Sequence, residues 1–217
     1  MPVRCLITAG PTREFFDPVR FVSNPSSGKM GYALAAAAAT LGCEVELVSG
    51  PVALPAPPGV RLYRVITGAE MLECVGTLFD TCDVLVKAAA VCDFRPCAYS
   101  AQKVKKEAVP CSVEFEPVPD ILKMMAARRR PDQVLVGFAA ETVNVEAYAR
   151  RKLQEKRLDW IVANRVGREG GADLPNAFEA DTNTVLLLSA QGLREEYGPA
   201  PKPDVARWLL QTMKIPG

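Results

Sequence analysis

The chain has 217 residues, with 26 Lys+Arg against 25 Asp+Glu, a formal charge of +1, and no histidine. Balanced charge gives no bulk attraction to nucleic acid or to an acidic membrane surface, and 49% hydrophobic with 24% charged residues excludes wholesale disorder. The missing imidazole removes Ser-His-Asp and Cys-His catalysis, His-ligated zinc and the usual neutral-pH general base. Chemistry must then rest on charge stabilisation, positioning, or Lys, Asp, Glu, Cys and Asn.

Val3–Ala9 is a short apolar run stopped by Gly10-Pro11, which predicts a buried strand and a turn. Gly31–Leu41 is alanine-rich and ends at Gly42, the pattern of a helix with a glycine stop. Cys43–Val48 alternates like a strand, a proline-rich loop follows, and Val60–Val65 is another strand. Gly68–Leu78 reads as a helix capped near Thr67, and Cys82–Val91 as a buried strand running into small residues. From Cys92 to Pro117 the alternation breaks; prolines and three lysines predict a long lid loop holding a short strand at Ser112–Phe115. Helix, strand, helix and strand then follow at Pro119–Arg130, Val134–Ala139, Val143–Arg157 and Trp160–Ala163. Thr184–Ser189 predicts a further strand and Pro203–Met213 a terminal helix.

Strands alternating with helices predict one α/β domain over residues 1–217: a doubly wound, Rossmann-like, mostly parallel sheet with helices on both faces, a lid and an extra C-terminal β element. Ligands bind such sheets at the carboxyl ends of the strands. The segments there, Gly10–Arg13, Ser49–Pro51, Ala88–Asp93, Ala139–Thr142 and Asn164, are expected to converge on one site. Seven scattered cysteines, an odd number without C-x-x-C spacing, fit reduced structural thiols and a cytoplasmic setting. The apolar N-terminal run is too short for a signal peptide, and no run approaches the ~18 residues of a membrane span.

Five constellations carry candidate chemistry. Ser23 to Gly31, a Ser/Gly-rich loop before the alanine-rich helix, can present N–H groups and the positive dipole end to an anion; ordinary capping by Ser26 or Ser27 is the plain alternative. It is no P-loop, because Ser23 and Met30 stand where G-x-x-x-x-G-K-S/T requires Gly and Ser or Thr. Lys103, Lys105 and Lys106 in the lid can neutralise a polyphosphate or form a solvated cluster. Asp93 at a strand end can accept from a ribose, a base or a metal-bound water, or cap a loop. Gly137 to Thr142 combines small residues with a stacking face on Phe138, or is plain core strand. Lys152 and Lys156 share one helix face, by default a solvated one.

The strings ITAGPTRE, DPVRFVSNPSSGKMGYALA, VELVSGPV, AAAVCDFRP, KVKK, VPDIL, VGFAAET and IVAN closely resemble the bacterial, CTP-using phosphopantothenate–cysteine ligase family, in the same order from Val3 to Leu188. The resemblance implies a coenzyme A biosynthesis ligase acting on 4′-phosphopantothenate, L-cysteine and CTP, with Mg²⁺ accompanying the nucleotide and no flavin in this chain. It implies an acyl-cytidylate intermediate, a homodimer, and a decarboxylase that is often fused in the same polypeptide and otherwise a separate partner. Matching residue by residue, Asn24 and Lys103 correspond to catalytic positions. Lys87, Ala88, Ala89, Asp93, Lys103, Val118, Pro119, Asp120, Ile121, Phe138, Lys152 and Lys156 correspond to nucleotide-binding ones. Val118 stands where the family commonly has asparagine. Arg13, Arg20, Ser26, Ser27, Gly28 and Lys29 are the expected contacts for the substrate phosphate.

The competing expectation on the same architecture is a nicotinamide- or flavin-binding oxidoreductase, which should carry G-x-G-x-x-G after its first strand; Gly10-Pro11-Thr12-Arg13 does not supply it. The segment about 178–189 departs from the βα alternation. Its Leu186-Leu187-Leu188 run would leave an apolar edge exposed in a monomer, so the strand Thr184–Ser189 is expected to contribute to a homodimer interface and brace the nucleotide site; the plain alternative is that this strand closes the sheet of one subunit.

Overall fold

The computed structural model describes residues 1–108, 112–166 and 180–215. Strands β1 (Arg4–Ala9), β2 (Arg13–Phe15) and β3 (Phe21–Ser23) precede helix α1 (Lys29–Thr40). Then come β4 (Glu44–Ser49), β5 (Val60–Arg64), α2 (Gly68–Phe79), β6 (Val84–Lys87), β7 (Phe94–Pro96) and β8 (Phe115–Pro117). The chain continues through α3 (Ile121–Arg128), β9 (Val134–Glu141), α4 (Val145–Glu155), β10 (Trp160–Arg165), β11 (Thr182–Ser189), β12 (Arg194–Pro201) and α5 (Lys202–Thr212).

Eight strands form the central sheet in the order β12-β11-β10-β9-β6-β1-β4-β5. The six from β5 to β10 are parallel, and β11 and β12 continue the sheet as antiparallel pairings. The chain winds outward from β1 to β5, returns, and winds the other way from β6 to β10. The reversal lies between β1 and β6, and it opens a crevice beyond their carboxyl ends. This is the predicted doubly wound fold.

Side-chain alternation along the strands feeds two cores. Val86, Val136, Val162 and Leu187 face α1 and α5, which supply Leu34, Ala38, Val205 and Leu209. Leu85, Leu135, Ile161 and Leu188 face Met71 and Phe79 of α2, Leu122 of α3 and Leu153 of α4. Each large side chain so buried contributes about 1.5–3 kcal/mol. Thr67 caps α2 as expected, its hydroxyl accepting the Glu70 N–H at 3.1 Å. Gly31 lets α1 press onto β1, since a Cβ there would lie 2.5 Å from that of Ala9.

Three features depart from the sequence reading. A hairpin, β2–β3, stands between β1 and α1. The short lid strand falls at Phe115–Pro117 rather than Ser112–Phe115, and it pairs with β7 to make a two-stranded root for the lid. The Leu186–Leu188 run is no exposed edge: β12 covers β11, and all three leucines are buried, Leu187 and Leu188 completely. Positions 178 and 179 of the expected dimer element, 109–111 of the lid, and Cys111 lie outside the described residues.

Candidate functional site

At the carboxyl ends of β6, β9 and β10 a cavity of about 330 Å³ opens. Asn24, Ser26 to Gly31, Lys87 to Val91, Asp93, Phe138 to Ala140 and Asn164 all border it. Most of the expected strand-end segments therefore meet, although Gly10–Arg13 and Ser49–Pro51 stand behind the lining rather than in it. A wider groove of about 670 Å³ lies by the two hairpins, but its charged lining is mostly acidic, with Glu14, Glu70 and Glu116 against Arg95. The smaller cavity is the one suited to anions.

Backbone contacts fix one wall. Past β1, the Gly10 carbonyl accepts the Ala90 N–H at 2.9 Å, and the Ala90 carbonyl accepts the Thr12 N–H at 3.3 Å. The Asn24 amide then donates to the same Ala90 carbonyl at 3.1 Å. Ser23 holds the approach, its hydroxyl donating to the Thr12 carbonyl at 2.7 Å. Gly28, at φ +75°, turns the chain into α1 as its N-cap with no side-chain cap. The Ser26 hydroxyl accepts the Gly28 N–H at 3.3 Å instead. No acidic side chain occupies the first turn of α1, so the positive pole of the helix faces the cavity unbalanced.

Five lysines border the cavity (Lys29, Lys87, Lys152, Lys156 and Lys202) against one carboxylate, Asp93, among the described residues. Lys152 pairs with Glu141 and Lys156 with Asp120, each at 2.6 Å. Burial alone would raise the Asp120 carboxyl; Lys156, the Lys123 N–H and Lys87 outweigh it and hold it below the usual range. Lys87 lies at the end of β6 near Lys156. Burial first, then Lys156, push its ammonium down to about 8 against the opposing pull of Asp120 and Asp93. A depressed lysine weakens the fold below its folded value and ceases to do so above its ordinary one. Lys87→Met is therefore expected to raise Tm at pH 7, the gain shrinking as pH climbs from about 8 towards 10.5. Thermal melts at pH 7 and pH 10 check this; an equal gain at both would assign the effect to packing instead of charge.

Other expected contacts stand outside the lining. Val118, Pro119, Asp120 and Ile121 form the turn into α3, with Asp120 as its N-cap. The turn reaches the cavity through the Asp120–Lys156 pair. Arg13 stacks over Phe21 at 4.7 Å, and Lys103 is exposed on the lid. Arg20 serves the lid: it pairs with Asp17 at 3.2 Å and donates to the Val104 carbonyl at 3.2 Å. Asp17 is fully buried and also accepts the N–H groups of Val19, Arg20 and Val104. Burial would raise its carboxyl, but those donors and the guanidinium hold it below the ordinary range. The anchor is thus intact at neutral pH and lost as acid titrates Asp17 through its lowered value. Asp17→Asn is expected to speed tryptic cleavage at Lys103, Lys105 and Lys106 severalfold; unchanged cleavage would show that the lid is held elsewhere.

The family described as "DNA/pantothenate metabolism flavoprotein C-terminal domain" (DFP) matches residues 2–215. The chain belongs to this family. The DFP domain is 46% identical over 207 residues to the coenzyme A biosynthesis bifunctional protein CoaBC of Bacillus subtilis, covering 95% of this chain and 50% of that protein. Identity to the Escherichia coli K12 protein of the same name is 44% over 190 residues, 86% of this chain and 46% of that one. The chain thus spans about half the length of these curated relatives. The crystal structure of the C-terminal domain of CoaBC superposes with a TM-score of 0.81 at 43% identity, over 98% of this chain and 94% of that one. At 16% identity, the Cab2 H337A complex with phosphopantothenate-cysteine shares the fold, with a TM-score of 0.77 over 98% of this chain and 85% of that one.

The sequence reading of this DFP domain missed Asn183 and Lys202, which also border the cavity. Both come from the C-terminal element. Lys202 falls just before the predicted terminal helix Pro203–Met213, where no local pattern marks burial, yet the fold buries it.

Proposed function

We propose that this DFP domain is a phosphopantothenate–cysteine ligase using CTP. The carrying observation is one cavity holding Asn24 and five lysines in a chain without histidine. The first nucleophile, the carboxylate of 4′-phosphopantothenate, is already an anion at neutral pH and needs no base. It attacks the α-phosphate of CTP, forming an acyl–phosphate bond and releasing pyrophosphate. The amine of cysteine then attacks the acyl carbon, CMP leaves, and the amine proton passes to solvent or to the departing phosphate. What the protein must supply is position and positive charge, which the α1 N-terminus, Lys29, Lys87, Lys152 and Lys156 provide. Lys103, on the anchored lid, acts when the lid closes. The CoaBC relatives support the reading, as do the strings SNPSSGKMG and KVKK.

Mg²⁺ accompanies CTP in this reading. The described residues hold no group of three or more acidic, cysteine or histidine side chains able to bind a metal, and the cavity offers the single carboxylate Asp93. That donor set fits an ion carried by nucleotide phosphates and water, with Asp93 as its one protein partner. The ion supplies charge neutralisation on the phosphates.

The reading also includes a homodimer. Its surface falls on the paired hairpins, where Phe21, Val22, Phe94 and Phe115 are exposed, rather than on the buried leucines of β11. Phe94→Asp with Phe115→Asp is expected to convert a dimer to a monomer in sedimentation; a wild-type monomer at micromolar concentration would remove the dimer from the reading.

The deciding experiment incubates the protein with 4′-phosphopantothenate, cysteine and each nucleoside triphosphate in turn, measuring pyrophosphate and nucleoside monophosphate. CTP-dependent release of both in equal amounts is expected. No release with any nucleotide overturns the ligase; release with ATP alone overturns the choice of CTP.

A further inference from the structure

Asp17 lies in the turn between β2 and β3, and its two carboxylate oxygens do different work. Oδ1 accepts the Val19 and Arg20 N–H groups, each at 2.8 Å, and so closes the turn. Oδ2 accepts from Arg20 Nη1 at 3.2 Å and from the Val104 N–H at 3.3 Å. Arg20 Nη2 in turn donates to the Val104 carbonyl at 3.2 Å. Asp17 and Arg20 thus grip both main-chain groups of one lid residue, the one between Lys103 and Lys105.

The turn by itself does not need a charge. An asparagine at position 17 could close it through a single oxygen, whereas burying a carboxylate is far more costly than burying an amide. The fully buried charge is accounted for by its second oxygen, and that oxygen serves the lid. The Phe16 carbonyl of the same turn also accepts the Ser100 N–H at 2.9 Å, so two lid residues are tied to it. The turn stands close to the chemistry: from Arg20 to Asn24 is four residues, at most about 14 Å of chain, with β3 between them. Lys103 therefore sits beside a fixed point near the Asn24 wall of the cavity, instead of swinging from the distant β7–β8 root alone.

We infer that Asp17 is a positioning residue for the reaction: with Arg20 it holds Val104 as the pivot from which Lys103 reaches a nucleotide in the cavity. The inference rests on the ligase reading for the identity of that reaction, and it gives Asp17 no contact with substrate.

Kinetics and tryptic cleavage of wild type, Asp17→Asn and Val104→Pro test the clamp. Asparagine keeps an oxygen for the turn but turns an NH₂ group towards the Arg20 and Val104 donors. Proline removes the Val104 N–H from the lid side and leaves the buried turn untouched. Both should lower kcat by about tenfold to a hundredfold while KM for CTP stays within about threefold, as expected when a group acting in the transition state is misplaced. In a Lys103→Ala background, Asp17→Asn should cost less than about twofold more, because both changes act through one ammonium. A merely structural Asp17 would add its loss in full. Additive losses, or wild-type kcat in both folded variants, overturn the clamp. Should Asp17→Asn not fold, Val104→Pro must show the loss and Val104→Ala, which keeps both main-chain groups, must recover it. A wild-type protein without turnover overturns the ligase reading, and the lid then decides the clamp alone. CTP with Mg²⁺ must slow cleavage at Lys103 in wild type and not in Asp17→Asn; equal slowing in both, or slowing in neither, overturns it.

Discussion

Asn24→Ala is expected to form the acyl-cytidylate and to amidate it slowly, so that the intermediate accumulates in rapid-quench samples. The amide stands beside the unbalanced N-terminus of α1, and its Nδ2 donates to the Ala90 carbonyl at 3.1 Å. An amide so placed can offer its second N–H to the acyl oxygen as charge develops there. Removing one such donor costs about 10²–10³ in turnover in other acyl-transfer enzymes. The backbone here is fixed independently of the amide, by Ser23 on Thr12 and by the Asn24 carbonyl accepting the Ser26 N–H at 2.8 Å. The variant should therefore melt within about 1 kcal/mol of wild type, the net worth of one hydrogen bond. Wild-type turnover in a folded variant would remove Asn24 from the chemistry.

Gly50→Ala should damage both fold and site without touching a lining side chain. A Cβ at Gly50 would lie 1.7 Å from the Pro11 carbonyl oxygen and 2.8 Å from its carbon. Both are backbone, so no rotamer change relieves the clash. The Gly50 N–H meanwhile donates to the Ala9 carbonyl at 2.9 Å, which stops the glycine from backing away. Pro11–Thr12 must move, and Thr12 is bonded to Ala90 and Cys92. The shift thus reaches the carbonyl that holds Asn24. Overpacking of this kind costs about 1–3 kcal/mol or more, several degrees in Tm for a chain of this length. Gly76→Ala is the control: it sits within α2 with nothing within 4 Å of its added Cβ, and should stabilise by roughly 0.4–1 kcal/mol. A Gly50→Ala variant with wild-type Tm and turnover would show that the Pro11 turn yields freely.

Much of this architecture was readable because the long elements carry clean periodicity. The alanine run of α1 and the apolar strands β1, β6, β9 and β10 fall within a few residues of their predicted bounds. The hairpin β2–β3 escaped because three-residue strands are shorter than any periodic window. Strand β12 escaped because Gly198, Pro199 and Pro201 look like loop, yet an edge strand tolerates them. That omission caused the misreading of Leu186–Leu188, since a strand looks like an edge when its covering neighbour cannot be seen. In the cavity, the Ser26–Lys29 loop announced itself by composition. Arg20 did not reveal its commitment to the lid, because the buried Asp17 that claims it is set by tertiary packing. Burial also separates Lys202 from a surface lysine, and burial has no local signature.

The antiparallel pairing of β10 with β11 has a further consequence for a chain still being made. A nascent polypeptide that has reached β10 already holds Asn24, Lys87, Lys152 and Lys156, but Ile161 to Ala163, paired with β9 on one side, have no strand on the other until Leu186–Leu188 arrive. An unfinished sheet offers that edge to other chains. The same late segment that shields it also delivers Asn183 and Lys202. A half-synthesised or clipped molecule is therefore prone to aggregate and unable to complete its cavity, so the segment that finishes the cavity is also the one that protects the sheet.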